Sequence, residues 1–498
     1  MLLRRLTLFA VVMTAFCVSE PSFAKEVDKV NILLEELSER GLLSQEAADE
    51  IKAKINGEVI KQKEKLSKRD KILPHGDTQV SLIDDFTVRI GLQYRVMYNY
   101  SNIPLSEVNS VDDTDAYDFF RQRMRFNLDV QSSQNVGGFL QLEYRGGWGG
   151  SSPAYSDPRE APGLSSNAYN RLEARGVRYG YIYYTPEADN TYLAAGIIPL
   201  SDRLGDTLFS ADWDFNVGGI TYRSTVGRTD YRLGFVRLID GVSSADSSTL
   251  DENGDLLIAD IAWPWGERLK LGGHLYYLDV DRDAAVDAGL TTHGKISQGW
   301  YALSGSLALG RSTLNSFICL NDGDYGGTDN TGLASKLEAV IPLDQFTFKL
   351  MAIFATGDRE GDTADNQFRT IQGIVGTEGY WAYTHIFTAN GASDVNDLGV
   401  GLDNDGRGLT TIQGKIETSL NHKLDLDLFA GWFQASEDNS DGNKDMGTEF
   451  GCMFTYALAQ KLNFQLGFSY ALLGDYYRNK NGGPDDLYET VSRFQLQF

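Results

Sequence analysis

Residues 86–100 read FTVRIGLQYRVMYNY and alternate in polarity along most of their length. Successive side chains of an extended strand point to opposite sides, so alternation with period two indicates a β-strand with two unlike faces. The apolar positions of this strand are Phe86, Val88, Ile90, Leu92, Tyr94, Val96, Tyr98 and Tyr100. The other face carries Arg89, Gln93, Arg95 and Asn99. We therefore predict a strand that separates an apolar environment from a polar one.

The same alternation recurs in both directions from this segment. Residues 119–130 and 462–470 each place apolar and polar side chains on opposite faces. Strands of about ten residues or more are long for a soluble sandwich and typical of tilted transmembrane strands. Tyr and Trp also cluster near predicted strand ends, as at Tyr181 to Tyr184 and at Tyr276, which is typical of interfacial aromatic girdles. A membrane barrel is favoured over a sandwich.

The connections between the predicted strands alternate between long and short. Residues 101–116, 147–171, 201–212 and 357–409 are long, residues 132–135, 186–190 and 225–229 are short, and residues 322–330 are of moderate length. Outer-membrane barrels show this alternation because their outer loops are long and their periplasmic turns are tight. The fold expected is all-β: an antiparallel transmembrane barrel of about 18 strands (16–18) over residues 80–498, preceded by a short periplasmic helical segment.

Composition excludes several other classes of protein. The chain has 498 residues, a formal net charge of −24, 11% aromatic residues and three Cys. So many aromatic residues argue against intrinsic disorder, and so few cysteines argue against a disulfide scaffold. A strongly acidic chain repels polyanions, so nucleic acid is not expected as a partner.

The N-terminal residues predict export. Arg4 and Arg5 precede an apolar run over residues 6–18, and Ala24 ends a cleavage motif, so residues 1–24 are expected to be a signal peptide. Residues 25–72 have helical periodicity and form the predicted periplasmic segment. Its basic end, residues 52–71, has two interpretations that stay open: a solvated spacer, or a helix that oligomerises or contacts anionic cell-wall polymer.

Several motifs resemble those of known bacterial barrels. The terminal strand, with Phe494, Leu496 and Phe498 on one face, resembles the signal that outer-membrane barrels present to the barrel assembly machinery. The run RQRMRFNLD at residues 121–129 and the run AGIIPL at residues 195–200 resemble strands of bacterial porins. The likeness is greatest to the homotrimeric porins of sulfate-reducing and related bacteria, and weaker to the alginate-export barrels. It implies a trimeric channel in a Gram-negative outer membrane, surrounded by lipid and lipopolysaccharide.

A barrel of this size should enclose water, which its polar face would line. The expected pore-lining residues are Arg89, Arg95, Arg121, Arg123, Arg125, Asp129, Glu143, Arg145, Arg178, Asp425 and Asp427. Alternatively, these charges pair between neighbouring strands, as Arg125 could with Glu143. A loop folded inward would narrow the pore, and residues 201–212 are the first candidate, with Asp202, Arg203, Asp206 and Asp212; residues 147–171 are the second.

Motifs for catalysis or cofactor binding are weak. The five histidines show no metal-ligand spacing, and residues 251–255 and 403–406 have only fragments of a calcium loop. We expect no enzymatic activity, no cofactor and no metal. The leading hypothesis is a porin for passive diffusion of ions and small hydrophilic solutes. The alternatives are a substrate-specific or polymer-export channel, or a barrel sheath around a secreted electron carrier.

Overall fold

The computed structural model describes residues 78–83, 86–103, 116–132, 135–148, 172–186, 190–240, 253–359, 365–375, 381–388, 390–393, 397–477 and 486–498. The predicted signal peptide, residues 1–24, and the predicted helical segment, residues 25–72, lie outside the described residues. So do most of the second loop candidate, residues 149–171, and the start of one calcium-like fragment, residues 251–252.

The described residues form 19 strands in one sheet. In chain order they are β1 (Thr78–Ile83), β2 (Phe86–Ser101), β3 (Tyr117–Ser132), β4 (Val136–Gly147), β5 (Glu173–Tyr184), β6 (Tyr192–Pro199), β7 (Asn216–Val226), β8 (Thr229–Ile239), β9 (Gly254–Trp265), β10 (Leu269–Val280), β11 (Ile296–Leu309), β12 (Ser312–Tyr325), β13 (Thr328–Pro342), β14 (Phe346–Ala355), β15 (Leu409–Asn421), β16 (Leu424–Ala435), β17 (Asp445–Ala459), β18 (Leu462–Leu473) and β19 (Leu487–Gln497). Two short helices, α1 (Arg282–Asp287) and α2 (Ile371–Val375), lie in connections. Neither they nor any other helix of the described part has the length and apolar character to cross a bilayer.

Consecutive strands pair along the chain, and the last strand closes the sheet. Residue Phe494 of β19 lies opposite Val96 of β2 in an antiparallel ladder. The strands β2–β19 therefore form a closed ring of eighteen, with β1 as the nineteenth strand of the sheet. A closed ring has no exposed edge, whereas a sandwich has two sheets with free edges. The prediction of an antiparallel barrel of about 18 strands is confirmed.

Strand β1 pairs with the part of β2 that lies beyond the end of β19. It pairs with residues 86–90 of β2, while β19 pairs with residues 93–101 on the same edge. Between the two, the backbone N–H of Phe498 donates to the carbonyl of Leu92 at 2.9 Å. Unpaired backbone groups are costly in an apolar environment. Strand β2 is longer than β19, and β1 pairs with the part of β2 that extends beyond β19. Periodicity in the sequence did not indicate this strand.

Exposure of the side chains is inverted relative to a soluble protein. Large apolar residues on the outer face are exposed, as with Ile182 at 68% and Leu303 at 64%. Polar residues on the inner face are buried, as with Asn99 at 0% and Gln141 at 1%. Apolar surface is stable in contact with lipid tails and unfavourable in water. The outer face therefore suits a bilayer, and we treat the strands as membrane-spanning.

The alternation of long and short connections is present, with one exception. Strands β12 and β13 are joined at the long-loop end by Gly326 and Gly327 alone, whose φ angles are 67° and 89°. Both residues lie in the left-handed region, as a tight type I′ hairpin requires. The expected connection over residues 322–330 is therefore wrong, since most of those residues extend the two strands.

The aromatic residues near strand ends do not all face outward. On the outer face, the Phe120 ring stacks on Trp148 and lies tilted against Tyr98, with a centroid distance of 4.8 Å in each pair. By contrast, Tyr181 and Tyr183 are buried on the inner face. Strict alternation sends every second residue inward, so the three tyrosines of residues 181–184 cannot all contribute to one outward-facing girdle. The assignment of that whole run to a girdle is wrong.

Candidate functional site in the barrel lumen

The predicted pore-lining residues of the first strands lie on the inner face. Their registers place Arg95 opposite Arg123, and Arg123 opposite Arg145, on three neighbouring strands. Like charges directly opposite each other are unfavourable in a sheet, so this row does not stabilise the wall through mutual pairing. The inner-face set comprises Arg89, Arg95, Arg121, Arg123, Arg125, Asp129, Glu143, Arg145 and Arg178.

Five of the charged groups at this wall form a single cluster. Arg125 Nε donates to Glu143 at 2.5 Å, and Arg145 Nε also contacts that carboxylate. Arg178 Nε lies 2.9 Å and Arg145 Nη2 3.0 Å from the carboxylate of Asp214, which comes from the loop after β6. Burial raises the pKa of the Asp214 carboxyl, but Arg178 and Arg145 lower it further than burial raises it, so the carboxyl is ionised.

Charges nearer the short-turn end pair between adjacent strands. Arg89 Nη1 lies 2.9 Å from Asp129, which also accepts a hydrogen bond from Tyr183 at 2.6 Å. On β15 and β16, Lys415 Nζ lies 2.9 Å from Asp427. Asp425 accepts a hydrogen bond from Ser419 Oγ at 2.6 Å. The alternative of pairing between neighbouring strands thus holds for Arg89 with Asp129 and for Lys415 with Asp427, while lining of the pore stays a prediction.

The loop between β6 and β7, which we call the first inward loop (residues 200–215), lies against inward-facing side chains. Arg232 Nη1 donates to the carbonyl of Ser201 at 2.5 Å, and Arg178 Nη2 donates to the carbonyl of Ala211 at 2.8 Å. The Phe209 ring packs edge-on against Tyr276 with centroids 5.4 Å apart. These contacts come from β5, β8 and β10, so the loop lies inside the barrel.

The candidate constriction residues of this loop have different surroundings. Asp202 is buried and its carboxylate accepts backbone N–H groups of Leu204 at 2.7 Å and Phe209 at 3.1 Å, and of Leu208. Burial, with Asp206 nearby, raises the pKa of Asp202 to about 6. Asp202 thus organises the loop itself.

The remaining three candidates lie further along the loop or beside Asp202. Burial raises the pKa of Asp206 and lowers that of Arg203, and Arg232 lowers the Arg203 value further. Asp212 is exposed, and its backbone N–H donates to Ser210 Oγ at 3.2 Å. Their places inside the barrel are compatible with a role in narrowing the lumen.

A buried cluster on β8, β9 and β10 was not predicted from the sequence. Asp260 accepts hydrogen bonds from Arg232 Nε at 2.5 Å and Tyr276 OH at 2.7 Å, and His274 Nδ1 lies 2.6 Å away. Each of these residues occupies an inner-face position of its strand. The period-two alternation of the sequence could therefore have predicted that they face the lumen. The cluster supports the first inward loop through Arg232 and Tyr276.

In the connection between β14 and β15, the described residues 356–359, 365–375, 381–388, 390–393 and 397–408 include contacts with inward-facing side chains of the wall, and we call them the second inward loop. Gln372 of α2 joins it to the first inward loop. Its backbone N–H donates to Leu208 O at 2.9 Å, its Nε2 donates to Trp213 O at 2.6 Å, and its Oε1 accepts the N–H of Ser210 at 2.8 Å. The two inward loops are therefore in direct contact.

The second inward loop is also held by the barrel wall. Glu449 of β17 is fully buried and accepts the backbone N–H groups of His385 at 2.6 Å, Ile386 at 2.9 Å and Phe387 at 2.9 Å. Burial lowers the pKa of His385 to about 3, and Lys415 and Arg493 lower it too, so this imidazole is neutral. A carboxylate that accepts three N–H groups fixes the position of the loop.

Groups suited to chemistry on a bound molecule are sparse in the described part of the chain. No three His, Cys, Asp or Glu residues there are placed to hold a metal ion. Burial, with Asp405 close by, raises the pKa of Asp403 to about 6, in the calcium-like fragment of residues 403–406. The assembled groups can attract, orient and exclude charged solutes.

The proposed assembly residues lie at the closing strand. Phe494 is partly exposed on the outer face, and its ring centroid lies 4.8 Å from that of Phe464. Leu496 shares that face by parity, and Phe498 ends the chain against Leu92. Recognition of these residues during assembly stays a prediction.

Comparison of the barrel with solved structures shows its fold. OccAB4 of Acinetobacter baumannii matches with a TM-score of 0.52 and 12% identity, over 86% of this chain and 100% of that one. OpdO of Pseudomonas aeruginosa matches with a TM-score of 0.52 and 12% identity, over 84% and 98%. A BenF-like porin of Pseudomonas fluorescens Pf-5 matches with a TM-score of 0.50 and 14% identity, over 84% and 100%. No family model and no curated protein matches the chain. The likeness establishes a shared barrel architecture.

Proposed function

We propose that this protein is an outer-membrane porin that forms a water-filled channel for passive diffusion of ions and small hydrophilic solutes. The observation that carries the proposal is the closed ring of strands β2–β19 with an apolar outer face and a charged inner face. A ring of this many strands is too wide for side chains alone to fill. The enclosed polar space is then an aqueous route across the bilayer.

The proposal includes a location and a route of assembly. The location is the outer membrane of a Gram-negative bacterium, with lipid and lipopolysaccharide around the apolar face. The signal peptide predicted over residues 1–24 and the terminal residues Phe494, Leu496 and Phe498 support export and recognition by the barrel assembly machinery. The resemblance in the RQRMRFNLD run supports a homotrimer. Contact of residues 52–71 with the cell wall is proposed from their basic charge.

We propose no enzymatic role. Several buried charged groups of the lumen are occupied in ion pairs, as Arg125 is with Glu143, or in holding loop backbone, as Glu449 is. Groups engaged in this way position the wall and the loops.

A second candidate function, a substrate-specific channel, is favoured by the two inward loops. Both lie inside the ring and contact each other through Gln372. Loops that meet across a lumen reduce its open cross-section and bring polar groups close to a passing solute. If the protein is a substrate-specific channel, its substrate would stay in the narrowed path long enough to block the ionic current.

Reconstitution of the purified mature chain in planar bilayers tests both candidates. We expect stepwise ionic conductance in KCl, because the lumen is continuous with water on both sides. A current that stays ohmic and unblocked as small sugars, amino acids and organic acids are added supports a general porin, whereas concentration-dependent block by one solute class supports the specific channel. Absence of any conductance from correctly folded protein contradicts both.

A further inference from the structure

The loop carboxylate of Asp214 occupies the centre of an arginine cluster. Arg178 Nε lies 2.9 Å, Arg145 Nη2 3.0 Å and Arg125 Nη2 3.7 Å from its oxygens. The three arginines come from three different strands, β5, β4 and β3, whereas Asp214 comes from the end of the first inward loop. The wall thus provides the cations, and the loop provides the anion that covers them.

Asp214 offsets part of the excess positive charge of this cluster. Three guanidinium groups face two carboxylates, Glu143 and Asp214. Glu143 is part of the wall, and its side chain is 4% exposed. Without Asp214, three buried cations would share one carboxylate, and each unpaired cation in such a position would favour another anion strongly.

Asp214 is also the accessible member of the cluster. Its side chain is 47% exposed, whereas those of Arg125, Arg145 and Arg178 are 7%, 16% and 4% exposed. Asp214 therefore lies between the arginines and the open lumen. An anion that reaches this point meets the carboxylate before it meets the guanidinium groups.

Departure of the Asp214 carboxylate requires movement of one side chain. The backbone around it is held separately: Phe215 N–H donates to Ser210 O at 3.0 Å, and Asn216 N–H donates to Asp214 O at 2.7 Å. The preceding carbonyl, that of Trp213, accepts Gln372 Nε2. A χ1 rotation at Asp214 can thus uncover the arginines while the loop stays in place.

We propose that Asp214 is an internal occupant of an anion-binding site formed by Arg125, Arg145 and Arg178, and that a small oxyanion in transit takes its place. This inference rests on the proposed function, since the anion must reach the lumen. The site would accept oxygens of a small inorganic or organic oxyanion, because guanidinium groups form paired hydrogen bonds with such oxygens. Asp214 then shortens the residence time of chloride and other anions at this site, because its carboxylate competes for the same guanidinium donors.

The variant Asp214→Asn tests this proposal, with Asp212→Asn as the matched control. The two substitutions remove the same charge from the same loop, two residues apart, but the ion pairs with Arg125, Arg145 and Arg178 are made by Asp214, whereas Asp212 is exposed. In planar bilayers under a KCl gradient, we expect Asp214→Asn to raise the chloride-to-potassium permeability ratio at least twofold. Asp212→Asn should change it by less than half as much.

Block by added anions provides the second readout. Inorganic sulfate and formate, tested separately, should block the Asp214→Asn channel at concentrations at least fivefold lower than the wild-type channel; sulfate block alone would assign a tetrahedral oxyanion, and formate block alone a planar one. Asp214→Glu, which keeps the charge, should resemble wild type and shows that the loop tolerates substitution. Equal shifts in the two Asn variants, or unchanged block by both anions, would overturn the proposal. Lack of conductance in the wild type would instead reject the proposed channel.

Discussion

Two kinds of charged residue inside the barrel differ in what they contact. Arg125 and Glu143 pair across neighbouring strands, and Arg89 pairs with Asp129 in the same way. Asp202 and Glu449 instead accept backbone N–H groups of the inward loops. Both groups occupy polar positions, so their chemistry alone does not distinguish a wall charge from a loop anchor. The distinction depends on which loop reaches each carboxylate.

Asp202 carries a testable dependence on pH. Its pKa is raised to about 6, so the folded chain binds this proton more tightly than the unfolded chain, in which the pKa is about 3.9. The stabilisation is fully present below about pH 4 and is lost as pH rises through about 6. Asp202→Asn cannot ionise. The difference in unfolding free energy between wild type and this variant should therefore change by on the order of 2–3 kcal/mol between pH 4 and pH 7.

Urea unfolding of detergent-solubilised protein at a series of pH values measures this difference. Leu204→Ala is the control, since it perturbs the same loop without removing an ionisable group. Its destabilisation should be the same at each pH. If the Asp202→Asn and wild-type curves run parallel from pH 4 to pH 7, the carboxyl does not titrate as described.

At the level of elements, the strands were predictable and the inward loops were only partly so. Period-two alternation and the contrast in connection length are local properties, and both are visible in residues 86–100 and their neighbours. The contact of Gln372 with Ser210 joins residues 162 positions apart, and no local pattern marks it. For the same reason the sequence indicated that Glu449 faces the lumen but not that a loop covers it. The Gly-Gly pair at residues 326–327 was the sequence signal for the tight turn between β12 and β13, where a longer connection was expected.

The contact between the two inward loops predicts a measurable change in conductance. Gln372→Ala removes the hydrogen bonds to Ser210 N and Trp213 O while the backbone bond to Leu208 remains. Each buried group left without a partner costs roughly 1–3 kcal/mol, which should separate the loops for part of the time. We expect a larger mean single-channel conductance with more open-channel noise.

Gln367→Ala is the control for this change. Gln367 belongs to the same inward loop and is buried, but its backbone carbonyl accepts Asn330 Nδ2 of the wall at 2.9 Å. Truncation of its side chain leaves the contact between the loops unaltered. Identical conductance and noise in the two variants would show that Gln372 does not restrict the path.

Across the whole barrel, apolar side chains are exposed and charged side chains are buried, which is the reverse of a soluble protein. Ile182, Leu233 and Leu303 are each more than half exposed, while charged residues such as Asp260 and Arg232 are almost fully buried. In water this arrangement would expose a continuous apolar belt, which soluble monomers avoid. In a bilayer the same belt contacts lipid, and the pairing of β19 with β2 closes the ring of described strands. The proposed channel requires apolar side chains to face lipid and polar side chains to face the lumen.

Cysteine scanning along β11 tests the orientation most directly. Single cysteines at Tyr301, Leu303, Ser304 and Ser306 would be introduced after Cys319 and Cys452 are replaced by alanine. A membrane-impermeant thiosulfonate should modify the cysteines at 304 and 306, which are inner-face positions that are only partly buried, and reduce conductance. A fluorophore attached at 301 and 303 should be quenched by brominated lipid. Alternation of the two responses is the predicted result, and equal aqueous labelling at all four positions would contradict a barrel with lipid outside and water within.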